Sequence, residues 1–221
     1  DVRAVRHVLG GTFNDVLLAA VTGGLRALLL ARGEVPRPGT VRSLVPVSMR
    51  APGEESLRDN RVSLLLAELP VHLADPLGRF GAVREELERC KAAGEAEAGA
   101  LGTQLARYQP FPLMAGMVRA GWAVPQRTVV TVTTDVPGPR HTLYGLGREL
   151  VEIIPYVPIA STLRVGVAVL SYRDGVVVGL TGDDSVSDLG VLAAGIVAEL
   201  RGLVALTREE PCDDDTVQTT D

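Results

Sequence analysis

The chain reads as an α/β protein built on a mixed sheet covered by helices, and three observations carry that reading. Helix-period and strand-period stretches interleave along its 221 residues, which calls for a layered α/β packing. The runs Val165 to Tyr172 and Val176 to Thr181 flank Arg173-Asp174-Gly175, and an Asp-Gly pair between two β-branched runs signals an antiparallel hairpin. An all-parallel sheet is thereby excluded. Finally, 46% hydrophobic content over this length supplies one sizeable core and is too short for two independent ones.

The elements follow in order. Val2, Val5, Val8 and Leu9 recur at helical spacing, and Gly10-Gly11 ends that first helix. A second helix starts at Thr12, whose hydroxyl is placed to cap the amide of Asp15, and runs through Val16, Leu17, Ala20, Val21, Leu25 and Leu28 to a stop at Gly33. After a Pro-rich loop, Val41 to Ser48 and Val62 to Leu69 are two short apolar strands whose separation suits neighbours in a sheet. Pro76 to Ala93 is an amphipathic helix with Phe80, Val83, Leu87 and Cys90 on one side, and Gly94 to Gly102 reads as a loose connector. Leu101 to Val124 is apolar enough for two short helices broken at Pro110 and Pro112. The strand Val129 to Thr134 then enters the turn Asp135-Val136-Pro137-Gly138-Pro139, where two prolines around a glycine define the strand's end. Leu150 to Ile154 is a short apolar segment ending at Pro155, and a last helix, Ser187 to Leu206, opens with Ser187 as cap.

Charge and cysteine usage narrow the function classes. The net charge of -5 resides entirely in Arg208 to Asp221, which holds one Arg and six acids, so the body is neutral and without a basic cluster. Nucleic acid is an improbable partner for such a surface, because phosphate neutralisation needs a concentrated positive face. We divide the chain into a domain over residues 1–206 and an acidic, disordered tail over residues 207–221, which has almost nothing apolar to bury. Cys90 and Cys212 show neither a disulfide framework nor metal-ligand spacing, so a reducing cytoplasm is the default compartment. The apolar run Val16 to Ala31 is interrupted by Gly23, Gly24 and Arg26 and falls short of a membrane span. No signal peptide is visible, and a start at Asp1 within helical sequence suggests a fragment.

Few residues look chemical. His7, His72 and His141 stand apart, and each is read as a surface or loop imidazole, since a general base needs a positioned partner and a pocket. There is no HEXXH, no GXSXG elbow and no glycine-rich phosphate loop, Gly145-Leu146-Gly147 lacking a third glycine at the needed spacing. No metal site is expected. Asn14-Asp15 has two readings of equal weight: satisfaction of free amides at a helix start, and a functional pair. The stretch Tyr108 to Trp122 also has two, helix packing and a lipid-facing surface. Packing is favoured, because only Arg119 supplies a cationic anchor.

The ordered strings GGTFNDVLLAAVTGGLRALLLARGEVP, LVPVSMR, DNRVSLLLAELPV, DPLGRFGAVREELERCKAA, TTDVPGPRHTLYGLGRELVEIIPYVP and VGVAVLSYRDGVVVGLTGD, with a closing DLGVLAAGIVAEL helix, resemble the C-terminal half of the bacterial wax ester synthase/acyl-CoA:diacylglycerol acyltransferase (WS/DGAT) family. The resemblance covers residues 1 to about 206 in unbroken order. It implies one half of the fold shared by chloramphenicol acetyltransferase and condensation domains, in which two similar α/β halves enclose a tunnel. The implied reaction moves a fatty acyl group from acyl-CoA, a substrate and not a bound cofactor, to diacylglycerol or a long-chain alcohol. In that family a His-His-x-x-x-Asp-Gly motif of the N-terminal half is the general base, and this segment, which lacks it, is expected to hold no catalytic residue and to be inactive alone. The resemblance gives supporting roles to Asn14, Asp15 and Arg50, and substrate contacts to Asn60, Arg61, Thr134, Asp135, Pro137, Gly138 and Pro139. Asp135 departs from the family's usual Asn. Expected partners are the N-terminal half of the same enzyme and a membrane or lipid droplet touched peripherally. The alternative is a stand-alone, noncatalytic module that binds acyl chains or pairs with a separate half.

Overall fold

The computed structural model describes residues 2–48, 62–100, 129–159 and 163–209. Four helices, α1 (Val2–Leu9), α2 (Phe13–Ala31), α3 (Pro76–Ala100) and α4 (Leu189–Glu209), pack against a five-stranded sheet. Its strands are β1 (Arg42–Ser48), β2 (Val62–Glu68), β3 (Val129–Pro137), β6 (Val165–Tyr172) and β7 (Gly175–Gly182), in the order β2-β1-β3-β6-β7. A separate two-stranded ribbon pairs β4 (Tyr144–Gly145) with β5 (Arg148–Glu149). The sheet is mixed, as its sequence predicts. β1–β2 and β6–β7 are antiparallel, while β3 lies parallel to both β1 and β6.

One face of the sheet is dry. Val45, Leu65, Ala67, Val165, Val167 and Val169 alternate onto it and are buried with α2, α3 and α4, the period-two pattern of strands covered on one side. The opposite face leaves Leu64 and Val136 exposed, and residues Pro155 to Ile159 run across its β6–β7 half. A Cβ on Gly179 would lie 2.0 Å from the Pro155 carbonyl oxygen, so that strap can lie flat only against glycine. α2 and α4 cross at their own small residues. A Cβ on Gly195 would come within 2.8 Å of the Gly24 Cα, and one on Gly24 within 2.6 Å of Ile196.

Between the helices lies a buried ion pair. Arg79 of α3 and Glu199 of α4 are 3% and 7% exposed and meet in a two-bonded fork at 2.9 and 2.5 Å, while Arg79 also donates to the Leu73 carbonyl. Gly23 of α2 leaves the space that Glu199 fills. Both α2 and α4 are long and apolar enough to cross a membrane by composition, contrary to the expectation for Val16 to Ala31. Gly23, Gly24 and Arg26 do not break α2; the glycines admit α4, and Arg26 reaches out to the carbonyls of Val71 and His72. α2 is the central core helix here.

Several element boundaries differ from the sequence reading. α3 continues to Ala100 through the expected connector, because Ala and Glu are strong helix formers and Gly94 and Gly99 cost only about 1 kcal/mol each. β3 does not end at Thr134 but runs to Pro137. Its pairing with β1 ceases at Val132 while that with β6 continues to Ser171, so Pro137 sits where the strand has a partner on one side only, as proline requires. Leu150 to Ile154 forms no strand. The hairpin turn is Arg173-Asp174, with Gly175 already paired to Tyr172. α4 starts after Asp188, not at a Ser187 cap, and passes Leu206 to Glu209. The expected helices within residues 101–124 and the stretch after Glu209 lie outside the described residues.

Candidate functional site

The C-terminal half of α2 stands over the start of the sheet. Leu25, Leu28, Leu29 and Arg32 line a cavity of about 320 Å³ together with Val41, Arg164 and Val165, at the beginnings of β1 and β6. A helix of this length spans about 28 Å and β6 about 26 Å, so the N-terminus of α2 lies at the other end, where β3 and β6 finish. Arg3 of α1 accordingly reaches Asp174, in the turn after β6, at 3.8 Å. Asn14 and Asp15 at the start of α2, and Asp135 and the Pro-Gly-Pro turn at the end of β3, lie toward this same end of the fold. The cavity at the opposite end contains none of the predicted site residues, and its two arginines are already paired, Arg32 with Asp188 and Arg164 with Asp183.

Asn14 and Asp15, adjacent in sequence, differ in what they do. Asp15 is buried and completes a capping box: its carboxylate accepts from the Thr12 amide at 2.6 Å, and its own amide donates to the Thr12 hydroxyl at 3.2 Å. One carboxylate oxygen, Oδ2, is thereby engaged at the helix start. Asn14 is half-buried, and its amide group makes no hydrogen bond to a described residue. Of the pair, only Asp15 is engaged by a side-chain hydrogen bond among the described residues.

The Pro-Gly-Pro turn is clipped from two sides. Gly138 donates its amide to the Ser171 hydroxyl at 3.2 Å, and Arg173 donates to the Pro139 carbonyl at 3.0 Å. A Cβ on Gly138 would stand 1.9 Å from the Ser171 carbonyl oxygen, so no other residue fits without moving the turn. Beyond it, the buried Tyr172 hydroxyl accepts from the Leu143 amide at 2.9 Å and donates to the Leu150 carbonyl at 2.8 Å. That pins both feet of the β4–β5 ribbon. Gly145-Leu146-Gly147, discarded as a phosphate loop, is the ribbon's tip, with Leu146 and Gly147 both at positive φ and Leu146 fully exposed. Ser171 and Tyr172 were missed by sequence reasoning. Their only signal is the polar-aromatic pair closing an otherwise apolar strand.

The pleat of β3 separates the predicted substrate contacts. Thr131, Thr133 and Asp135 point to the helix-covered face, in register with Val165, Val167 and Val169, whereas Thr134 faces the other way with Val136. Thr134, half-buried, and the exposed Pro137 therefore do not share a surface with Asp135. The Ser43 hydroxyl donates to that of Thr133 at 3.0 Å beneath the helices. Asp135 Oδ1 is buried with no hydrogen-bond partner, and burial pushes the carboxyl up to about 6. Arg50, Asn60 and Arg61 lie outside the described residues.

His7 and His141 are exposed; His72 is half-buried with Nδ1 unpartnered. Among the described residues none of the three imidazoles is hydrogen-bonded or ion-paired to another titratable group, and no group of three or more His, Cys, Asp or Glu is placed to hold a metal.

A mixed five-stranded sheet with helices on one face is a fold that also occurs within larger solved chains of the WS/DGAT and peptide-synthetase types. The wax ester synthase/diacylglycerol acyltransferase from Marinobacter aquaeolei shares it, with a TM-score of 0.67 at 23% identity over 94% of this chain and 46% of that one. So does the epimerization domain from tyrocidine synthetase B, with a TM-score of 0.55 at 13% identity over 94% and 45%. The chain belongs to the WS/DGAT C-terminal domain family, whose model matches residues 59–203. It is 44% identical over 209 residues to a probable diacylglycerol O-acyltransferase of Mycobacterium tuberculosis, covering 94% of this chain and 45% of the relative. With the O-acyltransferase WSD of Acinetobacter baylyi it shares 30% identity over 181 residues, 80% and 38% of the two chains. The chain thus spans less than half the length of these curated relatives.

Proposed function

We propose that this chain is the C-terminal half of an O-acyltransferase that moves a fatty acyl group from acyl-CoA to diacylglycerol or a long-chain alcohol. The observation that carries this reading is family membership over the body of the chain together with coverage of only 45% of a relative named as a diacylglycerol O-acyltransferase. In the reaction, a histidine of the N-terminal half takes the proton of the acceptor hydroxyl as its oxygen attacks the thioester carbon. The C–S bond breaks, the CoA thiolate leaves, and the histidine returns the proton to it. This half contributes a rigid wall: Asn14 and Asp135 offer polar contacts, and the clipped turn keeps them in place. No bound cofactor is required.

The exposed apolar surface supports a companion half. Leu146, Val151, Ile154 and Tyr156 stand out along the β4–β5 ribbon and its continuation, at 105, 81, 74 and 73% exposure, with Leu64 and Val136 on the open sheet face. Exposed apolar side chains of this kind are what an interaction surface presents. It is the seat of the N-terminal half, and the joined enzyme works in the cytoplasm, touching a membrane or lipid droplet where its acceptors reside.

The test is acyl transfer by the chain joined to the N-terminal half, with labelled acyl-CoA against diacylglycerol and long-chain alcohols. Ester formation by the joined protein and none by this chain is expected; turnover by this chain alone, or none by the joined protein, overturns the reading. Light scattering addresses the alternative of a stand-alone module, for which this chain would be a well-behaved monomer without transferase activity.

A further inference from the structure

Three polar side chains line the helix-covered face of β3, and only the last lacks a partner. Thr133 is bonded to Ser43, and the Thr131 hydroxyl donates weakly to the Val132 carbonyl at 3.4 Å. Asp135, next on that face, has a buried Oδ1 bonded to nothing among the described residues. Its neighbour on β6 is Val169, which is 1% exposed, and β1 has already left the ladder.

The charged groups at this end of the sheet are turned elsewhere. On the helices, Asp15 holds the Thr12 amide, Arg6 donates to the Gly11 carbonyl, Arg84 pairs with Glu88, and His7 is exposed. In the hairpin turn, Arg173 pairs with Glu149 and Asp174 with Arg3. Among the described residues no cation is left to balance an ionised Asp135. A carboxylate with a buried, unbonded oxygen is far costlier than the acid, and only the acid can donate a hydrogen bond.

We infer that Asp135 works as a neutral carboxylic acid that donates its O–H to an uncharged oxygen of the lipid substrates. This rests on the acyltransferase reading. The acceptor oxygen belongs either to the acyl thioester carbonyl or to the alcohol; on the carbonyl, the bond strengthens as negative charge develops there. The proton stays on Asp135 throughout. The turn fixed by Ser171 and Arg173 holds the backbone just after it, so the donor is aimed before substrate arrives.

Two measurements on the joined protein test this. In carbon-13 NMR with labelled aspartate, the carboxyl signal lost in Asp135→Asn should still be protonated at about pH 5, where an ordinary aspartate is ionised. Its titration near about 4 instead would overturn the inference. In acyl transfer, wild-type kcat/KM should fall about tenfold per pH unit on an alkaline limb set by Asp135, and Asp135→Asn, which keeps a donor at every pH, should abolish that limb. Asp135→Leu should lower kcat/KM at least tenfold on the acidic plateau where wild-type Asp135 is protonated, and the difference should close along the alkaline limb, with KM rising for whichever substrate carries the bonded oxygen. Identical pH profiles for wild type and Asp135→Asn sink the proposal and leave the acyltransferase reading intact. Absence of transfer by wild type sinks that reading, and the NMR titration then decides alone whether Asp135 is held neutral.

Discussion

At residue scale, neighbouring side chains at the strand and helix ends divide into those that build the site and those left free for it. Thr12 and Asp15 are builders, so Thr12→Ala should cost about 1 kcal/mol of stability, read from the urea midpoint. Asn14→Ala should leave that midpoint within about 0.5 kcal/mol and reduce acyl transfer by the joined protein; equal loss of stability in both variants would assign Asn14 to the helix start. Gly138 is a builder of another kind. With its Cβ overlapping the Ser171 carbonyl oxygen, Gly138→Ala should cost about 2–3 kcal/mol and reduce transfer together with stability. Asp135 adds a pH dependence of folding. Its folded value, about 6, lies above the unfolded 3.8, so the folded state binds the extra proton between the two. The associated stability is full below about 4 and is lost as pH rises through about 6. Since Asp135 is only partly shielded, the loss is about 1–2 kcal/mol after allowance for solvent screening. Asp135→Asn should therefore unfold later than wild type at pH 7, and that gain should vanish at pH 4.

Among elements, the strongest constraint is the junction of α2, α3 and α4. Arg79 and Glu199 are nearly dry, and removing one partner strands the other's charge, so Glu199→Ala should destabilise by about 3–5 kcal/mol. Replacing both with leucine should recover part of that loss, as thermal unfolding would show; no recovery would mean that the pair is needed for packing register. None of this was legible in the chain, because ion pairs between helices more than a hundred residues apart leave no local pattern. The cap at Thr12 was legible, because it depends on residues three apart. So were the strand pairings, β6–β7 from the turn chemistry of its short connection and β1–β2 from two apolar runs at a separation that suits sheet neighbours. The extension of β3 to Pro137 was hidden, since whether a proline ends a strand depends on which flanks are paired.

For the whole molecule, hydrophobic periodicity sufficed for the class of fold, and ordered motifs sufficed for the family. The candidate site was legible as a set of positions but not as a surface. Sequence adjacency made Thr134 and Asp135 look like one contact, and the pleat puts them on opposite faces. Adjacency likewise made Asn14 and Asp15 look like a pair, and capping takes one of them away. The glycines of α2 looked like interruptions and proved to be the place where α4 lies closest.

The strand order carries one more consequence, for the order of assembly. The sheet consists of two antiparallel pairs, β1–β2 and β6–β7, joined only through β3. Each pair closes across a modest sequence gap, whereas β3 must find β1 across nearly ninety residues, in parallel sense. Long-range parallel pairing is the slow event in folding. Insertion of β3 is thus the step that turns two independent ribbons into one sheet, and its two short hydroxyl side chains, Thr131 and Thr133, enter a space that must already be shaped by Ser43 on one ribbon and Val167 on the other.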